Sequence, residues 1–168
     1  TIGNQMVEQL LIHTDMTKAR AKDVSVEMLD RVGISDPAKR FDQYVFELSG
    51  GMRQRAMIAM ALSTNPKFLI ADEPTTALDV TIQAQVIDLM KDLVNEFHMG
   101  IIFITHDLGE AVALSDRVMV MSARPGRIVA DIKIDLPRPR SVRDLQKSHE
   151  FHEIYTEVWE VLEAGMKS

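Results

Sequence analysis

The sequence has 168 residues, 46% hydrophobic and 26% charged, which is the balance of one globular domain, or a large piece of one, with its own core. A count of 19 Lys and Arg against 25 Asp and Glu gives a net charge of −6, which argues against nucleic-acid binding as the main function. Cysteine is absent, which excludes disulfides, thiolate zinc sites and cysteine nucleophiles and favours a cytoplasmic protein.

The N-terminal part, to about residue 45, is predicted to be helical. Apolar residues recur at helical spacing from the start, and a second helix is expected after a cap at Thr17 and before Gly33 and Pro37. Because residue 1 is Thr and the helical pattern begins there, we expect a chain cut from a longer one. No apolar run approaches the roughly 20 residues of a membrane-spanning helix, so we expect membrane association only through a partner.

Two strongly apolar segments follow. The helix from Met52 to about Ser63 has apolar residues nearly all round it, which predicts that it is buried. The run Phe68–Ala71 predicts a fully buried strand, and it ends at Asp72 and Glu73.

A strand, helix and strand are predicted in sequence. The stripe from Ile82 to Phe97 is that of an amphipathic helix, and Ile101–Thr105 predicts a second strand that ends at His106 and Asp107. This order forms a right-handed crossover between parallel strands. The fold class is therefore α/β, and the two polar strand ends are expected on one rim of the sheet.

The C-terminal part is predicted to hold a strand at 116–121 and an alternating strand or hairpin arm at 128–136. A terminal helix is expected after a cap at Ser141. Its Trp159 and the excess of methionines in the chain are interpreted as core residues.

The start of the Met52 helix is a candidate anion site. Gly50 and Gly51 present backbone N–H groups at a helix N-terminus, and Ser49 adds a hydroxyl. Arg53 and Arg55 lie in the first turn, where the helix dipole disfavours cations by about 0.3–1 kcal/mol unless an anion offsets it. The alternative is that Ser49 only caps the helix and the arginines are solvated.

The strand ends are a candidate hydrolytic site. Adjacent carboxylates at Asp72 and Glu73 repel and need a cation, hydrogen bonds or solvent. One carboxylate holding Mg²⁺ and the next orienting water would suit phosphoanhydride hydrolysis, with His106 within reach of a phosphate oxygen or that water. The alternatives are that Asp72 caps the following turn, that Glu73 lies in solvent and that the histidine is structural. The other histidines show no ligand spacing, so no zinc site is predicted from His13, His98, His149 and His152.

Taken in order, four motifs resemble those of the ATP-binding subunit of ABC transporters. Residues 48–55 (LSGGMRQR) look like the signature motif, 68–73 (FLIADE) like Walker B with its glutamate, 77–79 (ALD) like the D-loop and 105–107 (THD) like the switch histidine. The resemblance implies a partial P-loop NTPase (RecA-like) core with parallel strands and the ABC α-helical subdomain. It divides the chain into a helical subdomain at 1–64, a partial catalytic core at 65–136 and a C-terminal helical tail at 137–168.

The resemblance also implies cofactors and residue roles. ATP and Mg²⁺ would be bound, with Asp72 holding Mg²⁺ through water, Glu73 acting as general base or orienting the water, and His106 sensing the γ-phosphate. In this family two nucleotide-binding domains form a head-to-tail sandwich. Residues that would face the nucleotide of the partner domain, or lie near that interface, are Ser49, Gly50, Gly51, Gln54 and Asp79.

No Gly-x-x-x-x-Gly-Lys-Ser/Thr segment occurs in the sequence. In the family, the P-loop, the adenine-stacking aromatic residue and the glutamine loop lie upstream of a segment like residues 1–3 of this sequence. Alone, the chain is therefore expected to be inactive and to bind ATP weakly.

The leading interpretation is an ATP-hydrolysing motor subunit of an importer for peptides or similar small solutes. It would pair with a second nucleotide-binding domain and dock on membrane permease subunits at the cytoplasmic face of the cell membrane. Residues 1–46 and 51–81 look most like peptide and nickel importer ATPases, whereas 122–129 and 135–140 look closer to nitrate, sulfonate and taurine importer ATPases. The alternatives are a non-hydrolysing module that supplies only its signature helix and a soluble ABC-type ATPase.

Overall fold

The computed structural model describes residues 1–76, 78–140, 145 and 147–167. They form two compact units, which we call the N-terminal unit (residues 1–102) and the C-terminal unit (residues 103–168). None of the described helices is long and apolar enough to span a membrane.

The N-terminal unit begins with helices, as predicted. They are α1 (Ile2–His13), α2 (Lys18–Arg31), α3 (Pro37–Phe41), a 3₁₀ turn (Val45–Glu47) and α4 (Gly50–Leu62). The predicted cap of α2 is confirmed, because Thr17 Oγ1 accepts the N–H of Arg20 at 3.3 Å. Helices α1, α2 and α4 pack on one another around side chains that are almost fully buried, among them Ile2, Met6, Leu10, Leu29, Val32 and Leu62.

The prediction that α4 is buried all round is wrong. Its inner side is buried by α2 and by α5 (Val80–Phe97), and it presents Ala56, Ile58 and Ala59 there, but Met57 is 63% exposed. An apolar sequence on every side of a helix does not say which sides a neighbouring helix covers.

Strands β1 (Phe68–Asp72) and β2 (Gly100–Ile104) flank α5 and are neighbours in a parallel sheet, which confirms the predicted crossover and fold class. The N–H of Gly100 donates to Lys67 O at 2.9 Å where the two strands begin to pair. The α5 stripe buries Val86, Met90 and Leu93, as its amphipathic pattern predicts, and Ile87 is buried as well.

The prediction that the first strand is fully buried is wrong. Phe68 is 70% exposed and Ile70 is 66% exposed, whereas Ala71 is buried. Side chains alternate between the two faces of a strand, and the described chain covers only one of the two apolar faces of β1.

In the C-terminal unit, two helices pack on a β-hairpin. It contains α6 (Leu108–Leu114), β3 (Arg117–Met121), β4 (Ile128–Lys133) and α7 (His149–Lys167), and β3 pairs antiparallel with β4. The predicted strand at 128–136 ends earlier, at Lys133. The predicted cap at Ser141 lies outside the described residues, and Phe151 at the start of α7 donates its N–H to Ser148 Oγ at 3.4 Å.

The core of the C-terminal unit is formed by one face of the hairpin, α6 and α7, with Val112, Val120, Ile132, Phe151 and Val158 buried. The interpretation of Trp159 as a core residue is wrong, because its side chain is 47% exposed on α7. Several methionines are likewise exposed, because they lie on the outer sides of α4, β3 and α7: Met57, Met119, Met121 and Met166.

Arg140 is a buried cation that binds backbone carbonyls in the C-terminal unit. Its guanidinium donates to Ser115 O at 2.6 Å, Ile134 O at 3.1 Å and Leu136 O at 2.6 Å. Burial, with a smaller contribution from the neighbouring charge of Arg138, lowers the pKa of this guanidinium from its ordinary value. The side chain therefore ties the end of α6 to the segment after β4.

Candidate functional site

The N-terminus of α4 presents unbonded backbone amides. Ser49 is exposed, and its Oγ accepts the N–H of Met52 at 3.3 Å, so Ser49 caps α4 as the alternative interpretation held. Within the described residues, the N–H groups of Gly50 and Gly51 have no hydrogen-bond acceptor. These two donors lie at the positive end of a 13-residue helix, which is the geometry that binds anions.

The start of α5 lies directly beside the start of α4. A Cβ atom on Gly51 would come within 2.9 Å of Ile82 Cγ2, and one on Gly50 would lie 3.9 Å from Leu78 Cδ2. Asp79 caps α5, since its Oδ1 accepts the N–H groups of Thr81 at 3.1 Å and Ile82 at 3.0 Å. The structure thus brings the residues at 49–51 together with the segment around Asp79.

Arg55 does not require an external anion. Its Nη1 donates to Val32 O, the C-cap carbonyl of α2, at 2.5 Å. Gly33, which follows, has φ 73°, and a Cβ atom there would lie 3.0 Å from Arg55 Nη1. The cation therefore meets the negative end of a neighbouring helix. The prediction that Arg55 lies in the first turn of its own helix is wrong, because α4 begins at Gly50 and the effect of its dipole falls off within the first turn. Arg53 is exposed and Gln54 is partly buried.

Two carboxylates follow one another at the carboxyl end of β1. Asp72 is exposed, and within the described residues nothing hydrogen-bonds to its carboxylate, so the alternative in which it caps the next turn gains no support. Glu73 has φ 45°, in the left-handed region that few residues other than glycine adopt. Strain of this kind costs about 1–3 kcal/mol and is typical of functional positions.

The side chain of Glu73 is held by the turn that it opens. Thr76 Oγ1 donates to Glu73 Oε2 at 3.0 Å, and the N–H of Thr76 donates to Glu73 O at 3.2 Å. Pro74 and Thr75 between them are buried. The carboxylate is therefore held by the turn that follows β1.

His106 lies in the C-terminal unit, in the loop between β2 and α6, and is exposed. Hydrogen bonds join the two residues that flank it, because the N–H of Asp107 donates to Thr105 Oγ1 at 3.0 Å. The same hydroxyl donates to Glu110 Oε2 at 2.8 Å. The expected closeness of His106 to Asp72 and Glu73 stays a prediction.

The sequence reasoning did not find two residues of these networks, Thr76 and Glu110. The spacing Asp107-x-x-Glu110 is a capping-box pattern and was visible in the sequence. Thr76 had no such signal, because its contact with Glu73 depends on the left-handed turn at Glu73.

The ABC transporter family profile matches residues 3–76, which include α1 to α4, β1 and the Asp72–Glu73 pair. Residues 3–76 therefore belong to the ABC transporter family. The resemblance to the ATP-binding subunits of ABC transporters is confirmed.

The chain is similar to two peptide transport proteins. It is 56% identical over 134 residues to the oligopeptide transport ATP-binding protein OppD of Bacillus subtilis (strain 168), covering 80% of this chain and 37% of that protein. It is 54% identical over 129 residues to the oligopeptide transport ATP-binding protein AmiE of Streptococcus pneumoniae serotype 4, covering 77% of this chain and 36% of that protein. The chain thus spans little more than a third of the length of these relatives.

A solved structure supports the fold. The chain superposes with a TM-score of 0.67 on an ATP-binding cassette solved as a dimer in a post-hydrolysis state with ADP and Pi, at 25% sequence identity. The match covers 82% of this chain and 58% of that one. The α/β fold with parallel strands predicted from the sequence is confirmed.

Proposed function

We propose that this chain is part of the ATP-hydrolysing motor of an ABC importer that takes up peptides or similar small solutes. The relatives named as oligopeptide transport ATP-binding proteins support the transport class. The single observation that supports ATP hydrolysis is the arrangement at the end of β1. Asp72 is open to solvent there, and Glu73, the next residue, is held in a left-handed turn.

The residues at this strand end fit Mg²⁺ bound together with a nucleotide. Magnesium usually binds proteins through one or two carboxylates, with phosphate oxygens and water filling its other positions. The described residues contain no group of three or more His, Asp or Glu that would form a metal cage by themselves, which agrees with this mode. Asp72 would hold the ion through water, and the bound ion would supply positive charge that stabilises the negative charge of the phosphates.

Glu73 is proposed to act on the attacking water. Its carboxylate follows Asp72 directly and is kept in place by the hydroxyl of Thr76. A carboxylate in this position can accept the proton of a water molecule or orient it for attack on a phosphoryl group. His106, in the loop after β2, is proposed to contact the γ-phosphate of the nucleotide.

The N-terminus of α4 is proposed to act in trans. Gly50 and Gly51 present amides at the positive end of the helix, and Ser49 and Gln54 lie beside them, so they would cover the γ-phosphate held by a second nucleotide-binding domain. Asp79 would lie near this head-to-tail interface, because α5 starts beside α4. The other proposed partners are membrane permease subunits, contacted by the helical subdomain at the cytoplasmic face.

The proposal is tested with the complete product of the gene by measuring ATP turnover and ATP-driven dimerisation. Glu73→Gln keeps the shape of the side chain but removes its basic oxygen, so we expect turnover to fall about 10²–10⁴-fold while ATP still drives dimerisation. Glu157→Gln, on an exposed part of α7, is the matched control and should leave both unchanged. Unchanged turnover in Glu73→Gln would remove Glu73 from the mechanism, and no ATP-dependent turnover in the unaltered protein would contradict the motor function itself.

A further inference from the structure

The C-terminal unit buries one carboxylate that the proposed function does not use. Glu110, in the first turn of α6, is only 3% exposed. A carboxylate that leaves water must be compensated by hydrogen bonds or by charge, and otherwise its burial costs several kcal/mol. The partners of Glu110 therefore indicate what its burial achieves.

These partners form a ring of hydrogen bonds around one loop. Glu110 Oε2 accepts the hydroxyl of Thr105 at 2.8 Å, and the oxygen of that hydroxyl accepts the N–H of Asp107 at 3.0 Å. Asp107 Oδ1 accepts the N–H of Glu110 at 3.0 Å, which closes the ring. The loop enclosed by this ring contains His106.

The arrangement differs from an ordinary capping box. In that motif the glutamate side chain accepts the N–H of the N-cap residue directly. Here Asp107 is the N-cap of α6, but its N–H donates to Thr105 Oγ1, and Glu110 Oε2 accepts the hydroxyl of Thr105. The network therefore fixes the residue before His106 as well as the residue after it, which the capping of α6 alone does not require.

We propose that Glu110 is a positioning residue for His106 and acts through the hydroxyl of Thr105. The buried carboxylate holds the loop so that the imidazole is presented in one orientation before nucleotide binds. This inference rests on the proposed function, in which His106 contacts the γ-phosphate. Preorganisation of this kind matters because small displacements of a group that contacts the reacting phosphate lower the rate strongly.

The test is a double-mutant cycle on ATP turnover by the complete product of the gene. Glu110→Ala removes the acceptor and is expected to lower kcat about tenfold or more, with the KM for ATP changed less than about threefold. Glu110→Gln keeps an oxygen that can accept the hydroxyl and should restore most of kcat. In a His106→Ala background, Glu110→Ala should have little further effect, because its target is gone.

A second pair of variants tests the same inference at Thr105, so that the test remains possible if Glu110→Ala does not fold. Thr105→Val keeps the shape of the side chain but removes the hydroxyl, so it should lower kcat to a similar extent, whereas Thr105→Ser keeps the hydroxyl and should lose less than about threefold. Glu157→Ala, at an exposed position of α7, is the control for loss of a glutamate in the same unit.

The outcomes separate this inference from the proposed function. A loss of turnover in His106→Ala, without any loss in Glu110→Ala and Thr105→Val, overturns the inference and leaves the proposed function intact. Equal fold-losses from Glu110→Ala with and without His106 also overturn it, because they show a structural effect that does not pass through the imidazole. Unchanged turnover in His106→Ala overturns both.

Discussion

Gly51 lets α4 and α5 start side by side, and replacing it should separate them. A Cβ atom at this position would lie 2.9 Å from Ile82 Cγ2. The Cγ2 atom branches directly from Cβ of Ile82, and β-branched residues in helices strongly prefer one rotamer. The side chain therefore cannot turn away, and the two helices have to move apart instead.

The expected cost follows from this contact. Overpacking of this kind costs about 1–3 kcal/mol, whereas replacing glycine by alanine in a helix gains about 0.4–1 kcal/mol. Gly51→Ala should therefore destabilise the N-terminal unit by about 1–2 kcal/mol. Gly50→Ala is the matched control, because its Cβ would lie 3.9 Å from Leu78 Cδ2, an ordinary contact, and it should be neutral or slightly stabilising.

The assay is urea unfolding of the chain followed by far-UV circular dichroism. Fluorescence of Trp159, the single tryptophan of the sequence, reports the C-terminal unit in the same samples and should not change. Adding Ile82→Ala to Gly51→Ala removes the clash, so the two substitutions should couple favourably by about 1 kcal/mol or more. If Gly51→Ala is as stable as Gly50→Ala, the inferred close approach of α4 and α5 is wrong.

Two further predictions concern side chains that hold other groups in place. Thr76→Val removes the hydroxyl that binds Glu73, so ATP turnover by the complete gene product should fall about tenfold, whereas Thr76→Ser keeps the hydroxyl and should recover most of the turnover. Equal turnover in the two variants would show that the hydroxyl is not needed. Arg140→Met leaves three backbone carbonyls without this donor and should destabilise the C-terminal unit by about 1–3 kcal/mol in urea unfolding followed by Trp159 fluorescence. The exposed Arg138→Met, which loses a surface ion pair, should cost less than about 1 kcal/mol, and a similar loss in both variants would contradict the role assigned to Arg140.

Helix starts were predictable because their signals are local. Thr17, Ser49 and Asp79 each accept a backbone N–H from the first turn that follows them, which is the role that their residue types favour. The amphipathic stripe of α5 was equally clear, since its apolar and polar sides differ. The short α6 was missed because seven residues do not show a helical period.

The extent of burial was predicted poorly for segments that are apolar on every side. In β1 and α4 the sequence pattern contains no polar side, so it cannot show which side lacks a covering element. The structure leaves Phe68, Ile70 and Met57 exposed for that reason.

The candidate site was predictable as residue types but not as contacts. The sequence placed Asp72 and Glu73 at a strand end, which the structure confirms. The roles of Arg55, Thr76 and Glu110 depend on distances between chain segments or on backbone conformation, such as the contact of Arg55 with the end of α2. A local sequence pattern does not predict such distances or conformations.

The most direct test of the account is a calorimetric titration of Mg-ATP into this chain and into the complete product of its gene. The proposed site is made of groups that act on a nucleotide held by a P-loop, and the 168 residues contain no P-loop sequence. We therefore expect no tight binding to this chain and clear binding to the complete product. Tight binding of Mg-ATP by this chain alone would contradict the account, because the nucleotide would then be held by residues other than those proposed.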